Sequence, residues 1–219
     1  EVPAPALKAQ PFEVEPARDD FDGTELSSHF QMLRIPFDES WGSLSERPGW
    51  LRLKGRESLG SRFDQSLVAR RIEDFLFTAV TLVDCTPESE RQMAGLSAYY
   101  NAYNWFYLCV RGDNKGGRTL DLLECDNSAV KFHLSEPVPI ADGPVALRVK
   151  MNREIMTFEW RQGDIEWKQI GPELDATQLS DEYGKNLSFT GAFVGICAQD
   201  LFDHTFCADF DYFDYIVSE

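Results

Sequence analysis

The chain has 219 residues, of which 43% are hydrophobic, and this is enough for a sizeable core within a single domain. Its 37 acidic and 21 basic residues give a formal charge of −16. Nucleic acid and anionic membranes both require clustered Lys and Arg, so neither is an expected partner of this chain. No apolar run approaches the roughly 18 residues that a membrane span requires.

The cysteine content argues against a disulfide framework and against a zinc site, because the number is odd and no C-x-x-C pair occurs. The five positions are Cys85, Cys109, Cys125, Cys197 and Cys207. Free cysteines and the lack of a visible signal peptide indicate a reducing, cytoplasmic compartment. Since the sequence begins at Glu1 and not at Met, secretion of a longer parent protein stays open.

The first segment, residues 1–18, contains four prolines and shows no hydrophobic periodicity. Proline lacks a backbone donor and favours extended conformations. We therefore predict a Pro-rich linker over residues 1–18 and one globular domain over residues 19–219.

The elements that follow are predicted to be β-strands almost throughout, because the apolar residues recur with a period of two. Residues 50–54 alternate cleanly, and residues 74–84 are apolar on both faces, as in a central strand buried on both sides. Residues 95–100 and 105–111 flank a turn and predict a hairpin. Residues 145–170 predict a three-strand meander. Further strands are expected at 119–125, 130–134, 191–199 and 208–217.

Only residues 175–183 have helical character, with Asp175 as the N-cap of a short helix. Roughly a dozen strands without βαβ alternation favour two antiparallel sheets packed face to face. The predicted fold class is therefore an all-β sandwich.

The search for catalytic groups finds none. Glycoside hydrolases use paired carboxylates, and some catalytic sandwiches place E-x-D-x-x-E along one strand. Glu124 and Asp126 begin such a pattern, but the third acid is missing, which disfavours an independent sandwich hydrolase. The three histidines lie in no recognisable nucleophile or metal motif.

Acidic residues at the two ends of the domain suggest a structural Ca²⁺ site, since this ion takes several oxygen ligands. Asp22 stands where the domain begins, and Asp209 and Asp211 share one face of the last strand. If the two ends are neighbours, these three residues are the candidate ligands. The alternative is that the aspartates bond to backbone or basic groups or face the solvent. No other cofactor is expected.

The aromatic residues between 99 and 107 suggest sugar stacking, although about half of the residues in a strand pair must face the core. Tyr103, in the predicted turn, is the best candidate for a sugar contact.

Several long motifs together resemble the C-terminal domain of glycoside hydrolase family 43, the β-xylosidase and α-L-arabinofuranosidase group. These motifs are DDFDG at 19–23, DESWGSLSERPGWLRLKGRESL at 38–59, QSLVARR at 65–71, QMAGLSAYYN at 92–101, FTGAFVGICAQDL at 189–201 and ADFDYFDY at 208–215. The resemblance implies a concanavalin A-like jelly roll. It also implies that catalysis belongs to a five-bladed propeller that precedes this domain, so that the chain alone is not an enzyme while its parent is an O-glycosyl hydrolase.

In this family the sandwich resembles a lid at the propeller pocket, where a loop Phe helps to close the substrate site. The resemblance implies this role for Phe193 or Phe189, and more weakly for Phe63. The expected partners are the propeller and xylose- or arabinose-containing oligosaccharides from hemicellulose. The alternative is a carbohydrate-binding module for xylan or xylo-oligosaccharides. An apolar surface left open without the propeller would let the isolated chain form a homo-oligomer.

Overall fold

The computed structural model describes residues 6–8, 10, 15–184 and 189–218, so the predicted linker lies mostly outside the described residues. The described part contains fifteen strands and one short 3₁₀ helix, Ala176–Leu179. Within it, no helix is long and apolar enough to cross a membrane. The strands are β1 (Arg18–Asp19), β2 (Gly42–Ser43), β3 (Leu51–Lys54), β4 (Ser66–Arg71), β5 (Leu76–Cys85), β6 (Gln92–Asn101), β7 (Asn104–Gly112), β8 (Arg118–Asp126), β9 (Ala129–Phe132), β10 (Val138–Ile140), β11 (Val145–Asn152), β12 (Ile155–Arg161), β13 (Lys168–Asp175), β14 (Phe193–Asp200) and β15 (Cys207–Val217).

The strands form two antiparallel sheets, which confirms the predicted sandwich. The eight-stranded sheet has the order β13-β12-β11-β5-β15-β3-β2, and β1 pairs with β15. The seven-stranded sheet has the order β10-β8-β7-β6-β14-β4, and β9 pairs with β8. The predicted hairpin is β6–β7 and the predicted meander is β11–β12–β13. Strands of only two or three residues, such as β1, β2 and β10, were not recognised in the sequence because they are too short to show a period.

The main core fills the space between the sheets. Alternation places Val145, Leu147 and Val149 of β11 on the inner face, where all three are buried. Large aromatic side chains complete this core, among them Phe77, Phe106, Phe158 and Phe210. The period of two therefore encodes which face of each strand packs inward.

A second apolar cluster lies on the outer face of the seven-stranded sheet. Leu108 belongs to the core between the sheets, whereas its neighbour Tyr107 belongs to this second cluster, and adjacent residues of a strand point to opposite faces. Leu59, from the segment before β4, is fully buried in the second cluster. The sheet is thus covered on both sides in its middle strands.

The structure corrects three details of the predicted elements. β4 was not recognised as a strand, because five of its six residues are buried and no alternation shows. The last strand of the meander, β13, begins at Lys168, and Ile165 lies exposed in the loop before it. The strand β5 is central as predicted, but its outer face is only half-buried, whereas strands of the seven-stranded sheet such as β6 and β7 are buried on both faces.

The N-terminal segment is tied to one end of the sandwich. Arg18 pairs with Asp214 in the β1–β15 ladder, so the domain already begins at the last residue of the predicted linker. The amide of Tyr215 donates to the carbonyl of Ala17, and Arg70 donates to the carbonyl of Pro16 at 3.2 Å. The chain therefore reaches the sandwich beside the end of β4.

We expect the inner core to carry the stability of the domain. Replacing the fully buried Leu108 by Ala should lower the free energy of unfolding by about 2–5 kcal/mol, because it leaves a cavity between the sheets. The matched change at the exposed Leu201 should cost less than about 0.5 kcal/mol. Chemical denaturation of both variants measures the difference, and equal losses would contradict this assignment of the core.

Candidate functional site

Phe189 lies in the segment before β14, and its side chain is 82% exposed. The residues directly after it are anchored: the Thr190 hydroxyl donates to the Tyr100 carbonyl at 3.2 Å, and Arg71 donates to the Thr190 carbonyl at 2.6 Å. A Cβ added to Gly191, whose φ is 70°, would come within 2.4 Å of the Arg71 guanidinium. Glycine therefore lets Arg71 hold this segment closely while the Phe189 ring stays in the solvent.

An open cleft lies directly beside this segment, at the end of the sandwich that we call the Phe189 end. Residues 72–75, 151–155, 176–177, 179–182 and 191–192 line it. Several apolar side chains at this end are exposed although they belong to no core, namely Phe75, Ile155, Ile216 and Val217. Exposed apolar groups gathered at one end are typical of a surface that another protein domain covers.

Phe193, the first residue of β14, is half-buried on the outer face of the seven-stranded sheet. Its ring packs against the second apolar cluster and lies opposite Tyr99 of β6. The Arg71 guanidinium carbon is 4.5 Å from the ring centroid. The Phe193 side chain thus packs outside the main core, whereas the Phe189 side chain is exposed to solvent.

Phe63 and Tyr103 come together on the same outer face. Phe63 is 64% exposed, and the Arg34 guanidinium lies 5.8 Å from its ring. The Tyr103 ring is half-buried and lies 5.2 Å from the Arg62 guanidinium. The structure therefore places both predicted contact residues on one surface, each beside an arginine that belongs to no motif of the sequence.

The carboxylate of Asp209 is held by two arginines on the outer face of the eight-stranded sheet. Arg52 binds both of its oxygens, at 2.6 and 2.9 Å, and Arg47 binds one of them at 2.9 Å. Burial alone would raise the pKa of Asp209, but the hydrogen bonds from Arg52 and Arg47 lower it below the usual range. These contacts match the alternative in which this aspartate bonds to basic groups.

The other two candidate calcium ligands are arranged differently. The β1–β15 pairing makes the two ends of the domain neighbours, as the calcium hypothesis required. Burial raises the pKa of Asp211, and the negative charges of Asp20 and Asp22 add to this effect. Among the described residues, no group of three His, Cys, Asp or Glu is placed to hold a metal ion. The calcium site stays a prediction.

Two carboxylates that are candidates for acid–base chemistry, Asp121 and Glu124, each contact a basic side chain. Burial raises the pKa of Asp121, and this side chain forms an ion pair with Arg111 at 2.9 Å on the outer face of the seven-stranded sheet. Glu124, from the incomplete E-x-D-x-x-E pattern, lies 2.6 Å from the ring of His133. These contacts place Asp121 and Glu124 in separate pairs and not together in one cleft.

All five cysteines are unpaired, as predicted. Burial raises the pKa of Cys85 and of Cys197 to about 12, so both thiols stay protonated at neutral pH. They act as small apolar side chains of the core and not as nucleophiles.

Residues 18–216 match the family model of the beta-xylosidase C-terminal concanavalin A-like domain. The chain belongs to this family. It is 41% identical over 219 residues to a putative beta-xylosidase of Escherichia coli K12, covering 98% of this chain and 41% of that protein. It is 43% identical over 198 residues to xylosidase/arabinosidase 43B of Humicola insolens, covering 87% of this chain and 37% of that protein.

Solved structures agree with the family. The sandwich superimposes on the xylan beta-1,4-xylosidase of Bacillus halodurans C-125 with a TM-score of 0.93 and 44% identity, covering 98% of this chain and 42% of that one. The chain thus spans about two fifths of the length of the relatives that it matches.

The ion pairs of Asp209 generate a prediction about pH. The folded-state pKa lies below that of the unfolded chain, so the charged carboxylate stabilises the fold above about pH 4 and this contribution is lost as the pH falls through the folded-state pKa. We expect Asp209→Asn to lower the free energy of unfolding by about 1–3 kcal/mol at neutral pH, and the difference from the wild type to shrink towards about pH 3. Denaturation at several pH values measures this.

Asp142→Asn is the matched control, because the Asp142 side chain is fully exposed and lies 4.0 Å from Arg118. It should leave the free energy of unfolding unchanged within the error of the measurement, because an exposed ion pair contributes little. A pH-independent loss in Asp209→Asn would contradict the ionic origin of its effect.

Proposed function

We propose that this chain is the accessory C-terminal domain of a longer family 43 glycoside hydrolase, that it packs on the catalytic propeller with its Phe189 end, and that Phe189 helps to close the substrate pocket. The observation that carries the proposal is the Phe189 segment. Its backbone is fixed by Arg71 and Tyr100 while its aromatic ring is solvated. An exposed aromatic ring on an anchored segment is what a pocket wall supplied by a neighbouring domain requires.

The path of the N-terminal segment also supports packing of the propeller on the Phe189 end. The segment before β1 runs past Arg70 and reaches the domain beside the end of β4, which borders the cleft at the Phe189 end. A catalytic domain joined through this segment would start close to the exposed Phe75, Ile216 and Val217. Burial of these side chains would stabilise the contact by about 25 cal/mol for each Å² of apolar surface covered.

Such a lid acts by shaping the pocket and excluding water, and not by acid–base chemistry. A Phe wall excludes water from a small pocket that holds a terminal xylose or arabinose, and this strengthens the electrostatic interactions that act on the transition state. Phe193 would support the wall from behind, since its ring packs between Arg71 and the second cluster. Phe63 lies further along the outer face and is the weaker candidate.

The carbohydrate-binding alternative depends on Tyr103. Sugar binding by stacking needs an open aromatic face in a groove, but the Tyr103 ring is half-buried and carries the Arg62 guanidinium. These contacts favour the lid over a binding module.

The proposal predicts that the 219-residue chain alone hydrolyses neither 4-nitrophenyl β-D-xylopyranoside nor 4-nitrophenyl α-L-arabinofuranoside above the buffer rate. The physical reason is that the family's catalytic acids belong to the propeller. Colorimetric assays at high protein concentration measure the rate. Turnover that follows the chain through repeated purification would place a catalytic site within it and overturn the proposal.

In the longer protein, Phe189→Ala should lower kcat/KM by about tenfold or more, because water enters the pocket. The stability of the domain should not change, since the ring makes no core contact. Phe202→Ala is the matched control: this ring is also exposed, but it lies in the loop after β14, at the opposite end of that strand. Steady-state kinetics on both substrates tests the pair, and an equal effect of the two changes would refute the pocket role.

A further inference from the structure

Three arginines on the outer face of the seven-stranded sheet each lie over an aromatic ring. The guanidinium carbons lie 5.8, 5.2 and 4.5 Å from the three ring centroids. We call this set the arginine surface; its pairs are Arg34 with Phe63, Arg62 with Tyr103 and Arg71 with Phe193. All three arginines are exposed.

The three pairs are neighbours on one continuous surface. Arg34 donates to the carbonyl of Arg62 at 2.7 Å, which joins the first two pairs. Arg34 also acts electrostatically on Tyr99, and Tyr99 lies opposite Phe193 in the β6–β14 ladder, which joins the third pair. The surface therefore extends from the Ser61–Phe63 segment to the start of β14, next to Phe189.

None of these three arginines has a carboxylate within 4.0 Å among the described residues. By contrast, most other arginines of the domain, such as Arg18, Arg47 and Arg52, form ion pairs. The chain has 37 acidic residues against 21 basic ones, so acidic partners were available in the sequence. Among the described residues, three clustered and exposed arginines thus lack a carboxylate partner, although Arg34 and Arg71 each donate to a backbone carbonyl.

The geometry leaves these guanidinium groups able to bind an anion. A guanidinium has five N–H donors in one plane, and Arg34 and Arg71 each use one nitrogen on a backbone carbonyl, so each exposed side chain keeps further N–H donors. Planar N–H pairs match a carboxylate in a two-point contact. Arg34 also holds a positive φ of 65°, a conformation that costs energy in residues other than glycine and is retained where the surroundings fix it.

We propose that the arginine surface binds carboxylates on the catalytic domain of the longer protein and fixes the docked position of the Phe189 end. This inference rests on the proposed function, since it names the contact by which the accessory domain is oriented. The chain reaches the sandwich at Arg70, one residue from Arg71, and Glu15 lies 3.2 Å from Arg70. A domain joined through this segment is held close to the arginine surface, which raises its effective concentration there to roughly the millimolar range.

A second copy of this chain is a poorer occupant. A twofold contact through this patch would bring the three arginines against their own copies, and such like-charge contacts are destabilising. A neutral sugar makes no use of three positive charges. Charge complementarity therefore favours an acidic protein surface tethered nearby.

The test compares backbone amide hydrogen exchange in the 219-residue chain and in the longer protein. Amides of residues 31–34, 58–63 and 101–104 should exchange about tenfold more slowly in the longer protein, and this protection should weaken at high salt because it depends on ion pairing. The double variant Arg34→Gln with Arg62→Gln should lose most of the added protection. It leaves Arg71 and the anchored Phe189 segment intact.

The matched control is Arg161→Gln with Lys168→Gln. Both side chains are exposed cations stacked on tryptophans, with ring distances of 4.7 and 5.6 Å, but they lie on the eight-stranded sheet. This variant removes the same charge and should leave the added protection unchanged. Equal exchange in the chain and in the longer protein would overturn the proposal, as would protection in the isolated chain that rises with its concentration.

The two proposals can fail separately. If Phe189→Ala lowers kcat/KM while the arginine surface exchanges freely in the longer protein, the lid is right and this docking contact is wrong. If neither effect is seen, the proposed packing of the Phe189 end on the catalytic domain is wrong.

Discussion

Burial of the seven-stranded sheet on both faces is the constraint from which the candidate site follows. Because Tyr107 and Cys109 are fully buried on the outer face, the segment that carries Leu59 must cross that face and cover them. The same segment then carries Arg62 and Phe63 to the turn at Tyr103. The arginine surface is thus a consequence of covering a second apolar cluster, and its position next to Phe189 is set by the β6–β14 register.

Arg70 connects this packing to the course of the chain. Its side chain is only 5% exposed, and burial of a charge is costly unless the charge is paired. Glu15, the Pro16 carbonyl and the Tyr215 ring supply the partners, at 3.2, 3.2 and 4.5 Å. The N-terminal segment is therefore part of the stabilising contacts of the domain. This tie fixes where a preceding domain would emerge, beside the exposed end of the sandwich.

Much of the fold could be predicted from the sequence, and the candidate site only in part. Alternation predicts the β6–β7 hairpin and the β11–β13 meander because a strand with one buried face shows apolar residues with a period of two. The sequence does not predict β4 because this strand is buried on both faces and shows no such period. Phe189 and Phe193 were nominated through family resemblance, but only coordinates separate the solvated ring from the packed one. The arginine surface was missed because its members, at positions 34, 62 and 71, come from separate segments with no common motif.

Arginines that pair with carboxylates and the arginines of the arginine surface have different roles, and this difference favours a second surface as the partner of the latter. On the eight-stranded sheet, Arg47 and Arg52 neutralise Asp209, and the pairs contribute to the stability of the domain itself. On the seven-stranded sheet, the arginine surface has cations stacked on rings without a carboxylate in reach among the described residues. Since ordering an exposed arginine costs side-chain entropy and gains little in water, such a surface contributes most when a second surface completes it. Because this domain has a net charge of −16, three exposed arginines do not impair its solubility. Carboxylates on a tethered neighbouring domain would pair with these arginines and stabilise the docked arrangement.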